Sequence, residues 1–117
     1  MAFKSTELQN VEQSAGKRLQ VIRFLTGITR EEFAEMFEFD ITRLKNMEQD
    51  RCRVSEYEFR KIGERLPELL PWLAFAGEIS LERIKANDDS LMRMIVARLE
   101  SRSIKPQVLE LLADKIK

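Results

Sequence analysis

Residues 28–47, ITREEFAEMFEFDITRLKNM, constrain the fold more than any other stretch of the chain. They divide into two short helical patterns with a tight join. In the first, Thr29 can cap a helix N-terminus through its hydroxyl, and Glu32 stands where the partner of a capping box belongs. Phe33, Met36 and Phe37 then fall on one face at the i, i+3, i+4 spacing, and Ala34 is small enough for close helix contact. The join is Glu38-Phe39-Asp40, whose last residue is a second N-cap candidate. In the segment that Asp40 opens, Leu44 and Met47 form an inward stripe, while Thr42, Arg43, Lys45 and Asn46 fall towards solvent. A short helix anchored by one apolar face, with hydrogen-bond donors along the other, is the layout that a DNA-reading helix needs.

Three pieces in order carry a resemblance: GKRLQVIR at residues 16–23, GITREEFAE at 27–35, and DITRLKNMEQD at 40–50. Together they look like the Cro/cI (XRE-type) helix-turn-helix domain, over residues 15–73. The matching features are Leu19 with Arg23, the Gly27-Ile28-Thr29 helix start, Glu32-Phe33-Ala34, and Met47-Glu48 before a turn. Two positions depart from the family pattern. Arg30 stands where the family usually has a phosphate-touching Gln, and Glu38 stands where it usually has a turn Gly. A non-Gly residue there must adopt a left-handed conformation or re-route the turn. The resemblance implies that Ile41, Thr42, Arg43 and Asn46 occupy the reading positions and that the loop holding Arg51 and Arg53 lies against the DNA backbone. It also implies a structural pair between Arg23 and Glu48, against which phosphate contact is the alternative for Arg23.

Helix geometry arrives at a similar assignment on its own. Residues at the N-terminal end of a reading helix point into the major groove, and Asn46 lies one turn beyond Thr42. Asn can pair bidentately with adenine, Arg with guanine, and the methyl of Thr or Ile can pack on thymine. Arg30, Lys45, Arg51 and Arg53 are the expected phosphate contacts, although exposed loop arginines are ordinarily just solvated.

The chain of 117 residues is 44% hydrophobic with three prolines and four glycines, so it can bury a core as one domain with an appended helical part. Its 20 basic and 20 acidic residues cancel, so DNA binding has to rest on local charge placement. Cys52 is the only cysteine, which excludes an internal disulfide, and with no His in the chain it has no partner for a Cys–His pair. Zinc sites of the usual kind are excluded by the same count, and there is no glycine-rich phosphate loop or nucleophile motif. No enzyme activity and no cofactor are expected. No stretch approaches the ~20 apolar residues of a membrane span. The N-terminus lacks a secretory apolar core, Phe3 being followed by Lys4, Ser5, Thr6 and Glu7, so a cytoplasmic protein is expected.

Residues 1–14 read as a flexible arm, with a DNA-embracing arm as the alternative, for which Lys4 supplies little charge. A first helix over residues 15–25 puts Leu19, Ile22 and either Val21 or Leu25 inward, and Gly27 fits the position that ends it. Ser55 with Glu58 caps another helix, which buries Phe59, Ile62 and Leu66 and stops before Pro67. The apolar run ELLPWLAF at residues 68–75 exceeds what one helix face needs; either it plugs the core, or Trp72 or Phe75 meets a second subunit. After Gly77, residues 78–117 read as a short helix or turn followed by a helical hairpin. The hairpin is too small to bury both broad apolar faces alone, so it should pack on the DNA-binding domain, on a second subunit or on both, with Leu91, Met94, Ile95, Leu109 and Leu112 as the candidate dimer contacts.

The expected fold is therefore all-α: a five-helix DNA-binding domain over residues 15–77 and a C-terminal helical extension. Three functions fit it. The first is a sequence-specific regulator of transcription, repressor-like, that binds double-stranded DNA as a homodimer. The second is a protein-interaction module on the same scaffold, which the acidic Glu38, Asp40, Glu48 and Asp50 around the reading helix favour. The third is an antitoxin that binds a partner protein and also represses its own operon.

Overall fold

A computed structural model describes residues 14–117 of the chain. Along them run eight α-helices: α1 (Ala15–Thr26), α2 (Arg30–Phe37), α3 (Ile41–Glu48), α4 (Glu56–Arg65), α5 (Leu70–Phe75), α6 (Leu81–Ala86), α7 (Ser90–Ser101) and α8 (Pro106–Ala113). A 3-10 turn, Pro67–Leu69, leads into α5. The described residues contain no strand beyond a single parallel bridge between Ile79 and Ile116. The protein is all-α, with the five helices expected up to Phe75 in place. The expected N-terminal arm lies, but for Ser14, outside the described residues.

Most helices start where a side chain can take up free N–H groups of the first turn. Ser14 accepts from the Lys17 N–H at 3.2 Å, Asp40 from Arg43 at 3.0 Å, Ser80 from Arg83 at 3.2 Å and Asp89 from Leu91 at 2.8 Å. Thr29 and Glu32 form the reciprocal capping box that their spacing predicts. Gly27 ends α1 with a left-handed φ of 75°. Glu38 ends α2 in the same conformation at φ 60°, so the departure from glycine is met by strain rather than by re-routing. Tyr57 Oη donates to the Glu38 carbonyl at 2.9 Å and Lys61 pairs with its carboxylate, and both contacts hold the strained residue.

One apolar cluster runs through the molecule. Leu19, Ile22 and Leu25 of α1 meet Phe33 and Phe37 of α2, Leu44 and Met47 of α3, Ile62 of α4, and Trp72 and Leu73 of α5. The cluster continues without a break into Ile79, Ile84, Leu91, Met92, Ile95, Ile104, Val108 and Leu112.

That continuity packs the hairpin on the rest of its own chain, one of the two coverings expected for it. Leu91, Ile95 and Leu112 are buried within the chain itself, and Leu109 packs half-buried against the same cluster. Of the five expected contacts only Met94 is exposed, at 43%. The physical reason is that α7 lies closest to α1 and α6, rather than folding back only on α8. Arg98 of α7 donates to the Leu25 and Phe24 carbonyls at 3.1 and 3.4 Å, satisfying the C-terminal end of α1. The C-terminal residues are tied down as well: Ile79 N–H donates to the Lys115 carbonyl at 2.6 Å and Lys117 N–H to the Ile79 carbonyl at 2.8 Å. Trp72 is likewise buried, whereas Phe75 is 70% exposed.

Candidate nucleic-acid interface

The inward stripe of α3 is as expected: Leu44 and Met47 are both fully buried. Along the opposite side Ile41, Thr42, Lys45 and Gln49 are exposed and Asn46 is half-buried. Positions 41, 45 and 49 form one row at the i, i+4 spacing, and 42 and 46 form the row beside it. Gln49 just past the helix end extends the outer row; its spacing from Lys45 is the signal that could have identified it.

The orientation of this unit is set by a buried carboxylate. Glu48, the last residue of α3, is fully buried and receives the Arg23 guanidinium in a two-point contact, Nε to Oε2 and Nη2 to Oε1, both at 2.8 Å. Arg30 of α2 donates to the same Oε1 at 3.1 and 3.3 Å. A carboxylate taken out of water needs such partners, and planar guanidinium forks suit it geometrically. One residue thus joins α1, α2 and α3. Arg23 plays the expected structural role. Arg30, expected to touch phosphate, is instead drawn inward to Glu48, with 30% of its side chain exposed.

Arg43 departs furthest from its expected place. It does not lie along the outer row of α3 but turns back towards α4. Its Nε and Nη2 donate to Glu58 Oε2 and Oε1 at 2.9 and 3.1 Å, and Nη2 also donates to the Arg53 carbonyl at 3.1 Å. Nη1 lies 3.7 Å from the Cys52 Sγ. The Glu58 carboxylate is buried and also accepts the Ser55 N–H at 2.7 Å. Burial pushes its pKa up, but the hydrogen bonds from Arg43 and Ser55 outweigh that and bring it down to about 2. Sequence reasoning assigned Glu58 to the capping box alone. That same capping role draws its carboxylate into the protein, where it needs a cation, and Arg43 is the one in reach.

Beyond α3, Arg51 and Arg53 are exposed, and Lys45 is exposed on the helix. None of these three side chains forms an ion pair or hydrogen bond among the described residues. The loop and the start of α1 border an open cleft lined by Ser14, Ala15, Gly16 and residues 50–54. The interface candidates therefore separate into two groups. Thr42, Lys45, Asn46, Gln49, Arg51 and Arg53 are available to a ligand, with Ile41 exposed beside them; Arg30 and Arg43, both partly exposed, are engaged by Glu48 and Glu58. Cys52 is half-buried beside Arg43, the small partly apolar role expected of it. No cluster of metal-ligating side chains occurs among the described residues, and none of their helices is long and apolar enough to cross a membrane. Compared with protein-family models, curated proteins and solved structures, the chain matches none.

Proposed function

We propose that the protein is a sequence-specific DNA-binding regulator of transcription, with α3 as the reading helix in the major groove. The observation that carries this reading is the outer side of α3 and the loop after it. Thr42, Asn46 and Gln49 offer base-edge donors and acceptors, and Lys45, Arg51 and Arg53 offer three cations without partners among the described residues. A rigid support behind them, anchored by Leu44, Met47 and the Arg23–Glu48–Arg30 triad, suits a surface that must dock in one register. The reading includes two copies on one operator, because a single short helix spans one half-site.

The test is binding to a library of genomic DNA fragments over a range of salt. Specific fragments should be retained with an affinity that falls with salt at a slope of about three phosphate contacts per copy. Asn46→Ala should cost ~1–3 kcal/mol on the best site and relax preference at one base position. Arg51→Ala should weaken all fragments alike and flatten the salt slope by about one. Unchanged affinity in both variants, with the fold intact, would remove the DNA-reading role.

A second reading, a protein-interaction module, is favoured by one observation: Arg30 and Arg43 are neutralised by Glu48 and Glu58, and Ile41 is exposed, at 39%, beside acidic Asp40. Absence of any salt-dependent DNA binding would favour it over the first.

A further inference from the structure

We infer that Arg43 is a positioning residue rather than a base reader: its guanidinium clamps residues 51–55 to α3 and α4 and thereby sets where Arg51 and Arg53 meet the phosphate backbone. The inference rests on the DNA-binding reading above and assigns Arg43 a part within it.

Three pieces of the protein converge on this one group: the Glu58 carboxylate from the first turn of α4, the Arg53 carbonyl from the loop, and the Cys52 thiol beside it. The loop has few other ties. Its entry is held by Asp50 N–H to the Met47 carbonyl at 3.1 Å and Arg51 N–H to the Asn46 carbonyl at 2.8 Å. Its exit is held by Ser55 N–H on Glu58. Between them, residues 52–54 make no backbone-to-backbone hydrogen bond among the described residues. The bond from Arg43 to the Arg53 carbonyl is the polar contact at the middle of the span, alongside partial packing of Cys52 and Val54 on the core.

Reading a guanine would undo this arrangement for little return. Guanine presents two acceptors to the guanidinium fork, as the Glu58 carboxylate already does. Moving Arg43 into the groove would strand a buried carboxylate without its cation, which is strongly unfavourable. Holding Arg43 in place also serves charge: Glu58 neutralises it, so Arg51 and Arg53 are not repelled by a third free cation beside them.

The clamp and reader roles predict opposite results for Glu58→Gln, which keeps the capping partner but releases the guanidinium. As a clamp, loss of the pair loosens the loop. Glu58→Gln and Arg43→Lys should both speed trypsin cleavage at Arg51 and Arg53 in the full chain by about tenfold. Both should weaken binding to all DNA fragments alike and flatten the salt slope by one to two contacts, with base preference unchanged. Tighter binding by Glu58→Gln, together with relaxed preference at one base position in Arg43→Lys, would overturn the inference and make Arg43 a reader held in check. Unchanged cleavage in both variants would overturn it too. If the unaltered chain binds no DNA, the DNA-reading role fails and the phosphate-positioning role falls with it. In that case trypsin cleavage still reports whether the clamp exists.

Discussion

Gly16 lies directly against the Met47 carbonyl: a Cβ built on Gly16 would sit 1.9 Å from that oxygen. The contact brings the start of α1 onto the last turn of α3, and it is backbone against backbone, with no flexible end to move aside. Gly16→Ala therefore sets two effects against each other. Alanine favours a helix by up to ~1 kcal/mol over glycine, but overpacking at a backbone contact costs typically ~1–3 kcal/mol, occasionally more. The clash should win, because relieving it means shifting α1 off α3. The expected outcome is a melting temperature lower by ~5–15 °C. An unchanged or raised melting temperature would show that α1 and α3 approach less closely.

Among the described residues, Glu48 is the one carboxylate that serves two guanidinium groups at once. Glu48→Ala should lower unfolding free energy by ~3–5 kcal/mol, because it leaves Arg23, itself nearly buried, without its counter-charge. Arg30→Ala should cost less, about 1 kcal/mol, since Arg30 is partly exposed and Arg23 still pairs with Glu48. Urea denaturation of the two variants checks the order. Equal losses would mean that the triad is not dominated by the Arg23 pair.

Acid should act through Glu58. Its pKa is about 2 in the folded chain against an ordinary value of 4.5, so it contributes stability that is fully present above pH 4.5. That contribution is lost as pH falls from 4.5 through 2. It is worth roughly 1–3 kcal/mol, discounted because the Arg43 side of the pair is open to solvent. The exposed Glu38 carboxylate, held below its usual pKa by the hydrogen bond from Lys61, acts in the same direction. Glu58→Gln should flatten the stability–pH curve between pH 4.5 and 2; an unchanged acid limb would assign acid sensitivity to other groups.

Removing residues 78–117 should not release a well-folded N-terminal half. It would strip Leu91, Met92, Ile95 and Leu112 from the shared core, each worth ~1.5–3 kcal/mol of burial. It would also take Arg98 from the end of α1. The shortened chain should lose cooperative unfolding and aggregate. A soluble, cooperatively melting fragment would show that the N-terminal helices form a core of their own.

Much of this protein is decided within a few residues of sequence, and there the chain alone is sufficient. Thr29 with Glu32, Asp40, and Gly27 mark helix ends because capping bonds reach only across one turn. Leu44 and Met47 face inward because helical spacing leaves them no other side. The resemblance noted from the sequence also implied the Arg23–Glu48 pair, which the fold forms. Tertiary structure decided the rest. Arg43 sits at the solvent edge of α3, where a long flexible side chain can extend into a groove or fold back. Its direction depends on Glu58, fifteen residues away in the chain, arriving buried and in need of a cation. In the same way the broad apolar faces of α7 and α8 only say that something must cover them. The cover of α7 is mostly α1 and α6, Ile79 bonds to the residues that follow α8, and burying those faces within one chain requires no second copy to associate.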